Sequence, residues 1–370
     1  MAVASSAPLR HAPQMTVNNV SRLMMSCALT LSLILGADYL FLRGFDPRAI
    51  DFRVFWSSAF KQASELYAAS TLPFVYPPTA IVFFKPLSWL SLPVGYLVWT
   101  ILSVMLFAFA VTRLEGWRVA LLSLLSAASI QGLATGQTAM ILSAALMFAL
   151  AVPGFACGVV FGVVAAIKPQ LLILAPLAFL IRKDWRTLSG MAAGIFGCII
   201  VELALYGPQV WFDWLNSVPA FRQSLFKIGA MGQVITPYGM ADWRGLNPLP
   251  FFVVSAALAV GAIVVSARRA EGVYLIAAII GASILASPYA LRHDTIALVP
   301  ASVAFILAHP KLKALPAIGI FSGYFVGASL VVAAALQLLA GARRDRGRLP
   351  LGARSASIRG ADAYQNRQAE

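Results

Sequence analysis

Apolar runs recur along the whole chain, separated by short charged or Pro/Gly-rich breaks. A helix crossing a bilayer core needs about 20 apolar residues, with a working range of roughly 17–25. Stretches such as 190–206 and 249–267 meet or approach that length. The runs are continuous Leu, Ala, Val and Ile, without the alternation of the closed β-barrel, the other structure that satisfies its own backbone in lipid. The pattern predicts a first span over 23–42 and a loop over 43–75. Apolar segments follow near 79–90, 92–112, 119–133, 138–152, 154–167 and 169–181. Further spans lead to Tyr206, back to Arg268-Arg269, out to Ser287-Pro288 and back to Lys311 and Lys313, and a long final run covers 315–340. The fold class is an all-α polytopic transmembrane bundle of about ten to twelve spans. It forms one membrane domain over 21–340, between a disordered cytoplasmic N-terminus (1–20) and a disordered basic tail (341–370).

Parity constrains the middle of the chain. An even number of segments separates the outer Tyr76 from the basic cluster Arg182, Lys183 and Arg186, which the positive-inside rule places in the cytoplasm. Either one pair merges or one segment is re-entrant, and 154–181, kinked at Pro169, is the natural candidate. Two outer loops carry amphipathic helices. Phe52, Phe55, Trp56, Ala59, Phe60, Ala63, Leu66 and Tyr67 recur at helical spacing, opposite Arg53, Ser57, Lys61 and Ser64. An aromatic stripe with a basic polar face predicts a helix lying flat on the membrane; the alternative is packing on the protein's own surface. Trp211, Trp214, Leu215 and Val218 form a second such stretch.

Composition agrees. Apolar residues make up 60% of the chain and charged residues 11%, against roughly 45–50% and about 25% in soluble domains. The net charge of +14 does not point to nucleic acid, because the basic residues fall mainly at the ends of apolar runs. Cys27, Cys157 and Cys198 lie inside apolar stretches and read as small hydrophobes, not a disulfide set. The first run lacks an obvious cleavage site and reads as a retained anchor.

Ionisable residues in or near a membrane are functional candidates. On this topology Asp46, Asp51, Tyr76, Glu202, Tyr289, Arg292, His293 and Asp294 gather at outer helix ends. Such a cluster fits an enzyme at the membrane surface better than a transporter, whose site lies near the midplane. Asp51 opens the first-loop helix, as an N-cap or as a general base. His293, with Arg292 and Asp294, is either a phosphate or acceptor contact or part of a solvated loop. Lys168 before Pro169 either reaches a phosphate or snorkels to an interface. Gln137 after Gly136 reads as a hairpin residue or an acceptor contact, and Tyr76-Pro77-Pro78 as a rigid turn. No Asp-x-Asp pair, Walker loop or zinc-ligand set is present, so a nucleotide-sugar donor or an ATP cycle has no visible home.

Asp51-Phe52, Val54-Phe55-Trp56, Leu66-Tyr67, Pro73-Phe74, Tyr76-Pro77-Pro78, Lys85-Pro86-Leu87, Gly136-Gln137, Ile167-Lys168-Pro169 and Ser287-Pro288-Tyr289 with His293 together resemble one family. It is the membrane-embedded, polyprenol-phosphate-mannose-dependent mannosyltransferase-like glycosyltransferases of family 87, and the resemblance spans about 51–300. It implies transfer of a hexose, mannose in this family, from a polyprenyl-phosphate sugar to a lipid or glycan acceptor on the non-cytoplasmic side of the cell membrane. It implies no cofactor beyond that donor substrate, with membrane lipids, donor and acceptor as partners. It also implies that Asp51 is the base. His293, Arg292, Lys168, Arg53, Tyr76 and Gln137 are then the candidate substrate contacts. A transporter or flippase of a lipid-linked or amphipathic substrate is the rival reading.

Overall fold

The computed structural model describes residues 49–67, 74–152, 154–227 and 229–308, with Ser26 and Thr30. Apart from those two residues, the expected first span (23–42), Asp46, the final run 315–340 and both tails lie outside the described residues. Among the described residues the chain is all α, with short 3-10 turns and no strand. In order the helices are α1 (Ile50–Ser58), α2 (Ala63–Leu66), α3 (Ile81–Phe84), α4 (Leu92–Glu115), α5 (Trp117–Leu124), α6 (Ala127–Thr135), α7 (Ala139–Ala149) and α8 (Phe155–Ile167). After these come α9 (Ala175–Arg182), α10 (Trp185–Tyr206), α11 (Gln209–Lys227), α12 (Pro237–Trp243), α13 (Leu249–Ser266), α14 (Gly272–Leu285) and α15 (Val299–Ala308).

Only α4, α10 and α13 are long and apolar enough to cross a bilayer among the described residues, and α5 with α6 adds a fourth candidate bent by 63°. The long helices form the rim. Leu97, Ile101 and Met105 on α4, Phe196 and Ile200 on α10, and Val253 and Leu258 on α13 are exposed, as lipid-facing side chains are. The short helices fill the middle: Val273, Ile276, Ile279 and Ile280 of α14 are fully enclosed, beside the buried faces of α7 and α15. The expected ten to twelve full spans are therefore not what the described residues hold. Several apolar runs, α7, α14 and α15 among them, are short helices packed mostly against protein, so they need not match the bilayer thickness.

The first-loop helix also differs from expectation. It stops after Ser58 and resumes as α2, and most of its apolar stripe packs on protein, the alternative the sequence left open, while Phe60 stays exposed. Phe52 and Phe55 are fully buried. Phe55 stacks on Phe84 with centroids 4.4 Å apart, and Phe52 packs beside Tyr96 and Trp99. The Trp56 indole donates to the Leu90 carbonyl at 2.9 Å, and the Lys85 ammonium donates to the Ala59 carbonyl at the helix end at 2.6 Å. The second stretch, α11, keeps an outward apolar stripe of Phe212, Leu215, Val218 and Phe226. Its inner face is anchored where the Trp214 indole donates to the Val75 carbonyl at 3.2 Å.

α8 and α10 approach closely where Gly158 and Gly162 face Gly190 and Gly194. A Cβ at Gly158 would fall 2.0 Å from the Thr187 carbonyl oxygen, and one at Gly190 would fall 2.0 Å from that of Phe155. Small residues four apart let membrane helices approach this closely. Gly158→Ala and Gly190→Ala are each expected to cost about 1–3 kcal/mol, read as a lowered thermal midpoint of the purified protein. Among the described residues Gly197→Ala on α10 meets nothing within 4 Å and is expected to leave the midpoint unchanged.

Candidate active site

Four local breaks bring polar side chains to one place. At the first, Ala49 takes a left-handed conformation (φ 55°), its N–H donates to the Ala134 carbonyl at 2.8 Å, and α1 starts at Ile50. Asp51 thus sits inside the first turn. The N-cap position belongs to Ala49, and among the described residues no side chain caps the helix. The capping role open to Asp51 from sequence is not the one it has. The second break is Gly136, which ends α6 in the left-handed region (φ 75°). A Cβ there would lie 2.5 Å from Phe52 Cβ, so both conformation and space call for glycine. The turn aims Gln137 inward, its N–H bonded to the Gly132 carbonyl at 2.8 Å.

The third break follows α8. Proline disfavours helical geometry in the residue before it, and Lys168 leaves the helix at φ −142°, ψ 73°. The fourth is the segment 287–291. Ser287 accepts from the Tyr289 N–H at 3.2 Å and donates to the Tyr289 carbonyl at 2.8 Å. A single bridge joins Leu291 to Val234, and the chain then enters the tight turn Arg292–Leu298. In that turn Asp294 accepts from the Leu291 N–H at 2.8 Å.

The four breaks meet at a cavity of about 390 Å³. At its base the Lys168 ammonium pairs with Asp294 Oδ1 at 2.5 Å, with both side chains almost wholly enclosed. Lys168 also lies 3.4 Å from Gln137 Oε1 and 5.6 Å from the centre of the Tyr76 ring. The Tyr76 hydroxyl donates to Gln137 Oε1 at 3.0 Å and lies 2.9 Å from Thr138 Oγ1. His293 Nε2 stands 3.7 Å from Asp294 Oδ1, and among the described residues its Nδ1 has no hydrogen-bond partner. Asp51 opens onto the cavity with protein on every other side. Burial raises its carboxyl above the ordinary range. Hydrogen bonds from Thr135 and Gln137 and the charge of Lys168 pull it back, while Asp294 adds to the rise. The remaining wall is largely apolar, with Phe55, Ile167, Ile173, Phe221, Leu225 and Leu291.

Of the residues singled out from sequence, Asp51, Tyr76, Gln137, Lys168 and His293 line this cavity together. Arg53 and Arg292 are not among the lining residues, and Arg53 lies exposed on α1. Glu202 is fully buried on α10, away from the cavity wall, and among the described residues neither carboxylate oxygen has a hydrogen-bond partner. Sequence reasoning put Asp294 and Tyr289 in the outer polar cluster without giving either a substrate contact, and it passed over the wall residue Gln170. Their signal was adjacency: Gln170 follows Lys168-Pro169, and Tyr289 follows Ser287-Pro288.

The family model of glycosyltransferase family 87 matches residues 74–288. That is more than half of the chain, and the chain belongs to this family. It is a membrane-embedded helical glycosyltransferase. The match takes in Tyr76, Gln137 and Lys168 but stops short of Asp51 on one side and of His293 and Asp294 on the other. No curated protein and no solved structure matches the chain.

Proposed function

We propose that the protein transfers a hexose, mannose, from a polyprenyl-phosphate sugar to a lipid or glycan acceptor on the non-cytoplasmic face of the cell membrane. The observation that carries this reading is the carboxylate of Asp51, open to an otherwise largely apolar cavity beside the Lys168–Asp294 pair. Asp51 takes the proton of the acceptor hydroxyl as its oxygen attacks the anomeric carbon. The bond from that carbon to the phosphate oxygen breaks, and polyprenyl phosphate leaves with the electron pair. Lys168 is the cation placed to stabilise the charge on the leaving phosphate, and the apolar wall suits the prenyl chain.

The direction the cavity faces is supported by charge. α11 covers the cavity through Phe221, Ser224 and Leu225. It lies between the C-terminal end of α10 and the N-terminal end of α13. The opposite ends carry Arg182, Lys183, Arg186, Arg268 and Arg269. Arg182 ties them together by donating to the Ala267 and Ala270 carbonyls at 2.6 and 3.1 Å. Basic residues mark the cytoplasmic side, which supports the opposite side for the cavity.

The test is transfer by lipid-reconstituted protein, with radiolabelled polyprenyl-phosphate mannose as donor and a native lipid extract as acceptor pool. Label is expected in a new lipid or glycan product. Movement of intact lipid-linked sugar across the bilayer with no product would favour the flippase instead. The pH profile adds a second check. Asp51 must be ionised to accept a proton and burial raises its carboxyl. The acid limb of kcat/KM is therefore expected above the ordinary aspartate value of about 3.9, with transfer falling as pH drops through that limb.

A further inference from the structure

We infer that Tyr289 and Gln170 recognise the sugar being transferred and set which hexose the enzyme accepts. This rests on the glycosyl-transfer reading of the cavity. Most polar groups on the cavity wall are already engaged. Tyr76 is bonded to Gln137 and Thr138, and Lys168 to Asp294. The Ser224 hydroxyl donates to the Ala220 carbonyl, and Ser287 donates to that of Tyr289. Among the described residues no hydrogen bond engages the Tyr289 hydroxyl or the Gln170 side-chain amide, and both residues line the cavity.

The two residues are also held in place. Tyr289 is fixed by the two Ser287 bonds, and its neighbours are pinned to the segment before α12. There the Ile235 N–H donates to the Ala290 carbonyl at 3.0 Å, and the Thr236 hydroxyl donates to the Pro288 carbonyl at 3.0 Å. The Tyr289 ring meets Phe221 edge to face, with centroids 5.4 Å apart. Gln170 lies in the tight turn Pro169–Leu171, directly after Lys168.

The chemistry of these groups fits a pyranose better than a phosphate. Both are neutral, and the cavity's charged groups, Asp51, Lys168 and Asp294, are separate side chains. An uncharged phenol and an amide match the donor and acceptor hydroxyls of a sugar. The aromatic pair offers an apolar surface for its ring C–H groups. A site built to hydrogen-bond a hydroxyl discriminates strongly against a ligand that presents it wrongly, because its own buried group is then left unpaired.

The experiment compares wild type, Tyr289→Phe, Gln170→Ala and Asp51→Asn in lipid nanodiscs. The donors are polyprenyl-phosphate mannose, glucose, galactose and 2-deoxymannose, with native lipid extract as acceptor pool. For each of the first two variants KM for the preferred donor is expected to rise about tenfold. Its preference over the other hexoses should fall by a similar factor, with kcat within about twofold of wild type. Thermal midpoints report whether each variant is folded. Unchanged KM and unchanged preference in folded Tyr289→Phe and Gln170→Ala, with Asp51→Asn inactive, would overturn the inference and leave the transferase reading standing. A loss confined to kcat would overturn it equally. Wild type inert toward every donor would remove the transferase reading and this inference with it.

Discussion

Asp51→Asn is expected to lower kcat for sugar transfer by about 10²- to 10⁴-fold, the usual contribution of a positioned general base. The protein should stay folded. Asparagine has the shape of aspartate and keeps the carbonyl oxygen that accepts hydrogen bonds, but it does not take a proton. The structure also separates this loss from a structural one. The N-cap of α1 is Ala49, so the substitution removes no cap, whose loss would cost about 1 kcal/mol. The sign of the electrostatic effect runs the other way. The folded environment raises the Asp51 carboxyl, so folding favours the protonated form, and the ionised form carries a cost that grows as pH rises through that raised value. At neutral pH a neutral side chain at this position is expected to leave the thermal midpoint unchanged or to raise it. Activity lost with stability kept or gained is the signature of a group held in place for chemistry. Equal transfer by both proteins would remove Asp51 from the mechanism and turn attention to Asp46, five residues earlier in the sequence.

The helical class and the cast of the cavity were legible in the chain for different reasons. Continuous apolar runs admit only helices in lipid. Gly136 and Pro169 are punctuation whose local consequence is nearly obligatory: a left-handed turn before Gln137 and an unwound Lys168. What the sequence concealed is which apolar runs meet lipid and which meet protein. Lipid tails are as apolar as leucine, so the enclosed α14 and the exposed α13 read alike. The same ambiguity misled at the first loop. The Phe52–Phe55 stripe has the spacing of a membrane-surface helix, yet its partners are Phe84, Tyr96 and Trp99, distant in sequence. Asp294 looked like one charge in an outer loop because its partner lies more than a hundred residues away at Lys168. Local pattern predicts breaks and turns; it carries no record of which breaks converge.

That pairing is the basis of the second large effect. Lys168 and Asp294 are only 4% and 2% exposed, so each charge depends on the other for its place in the interior. Lys168→Met leaves the Asp294 carboxylate with the Leu291 N–H at 2.8 Å and a histidine nitrogen at 3.7 Å. Breaking one member of a buried pair typically costs about 3–5 kcal/mol, because the charge left behind is uncompensated. A clear drop in thermal midpoint is expected, with transfer lost. That result alone would not say whether Lys168 acts on substrate or only balances Asp294. The double variant Lys168→Met, Asp294→Leu removes both charges, and apolar replacement of a whole buried pair is often neutral for stability. Its midpoint is expected to recover most of the loss. Transfer is expected to stay down by at least about 100-fold, because the cation beside the leaving phosphate is gone. The remaining activity should also move with pH in a defined way. Lys168 lowers the Asp51 carboxyl and Asp294 raises it. The pull of Lys168 is the stronger of the two, so the acid limb should shift upward when both are removed. Recovery of stability and transfer together would reduce Lys168 to a counter-ion and send the search for the phosphate contact to His293, whose Nδ1 has no hydrogen-bond partner among the described residues.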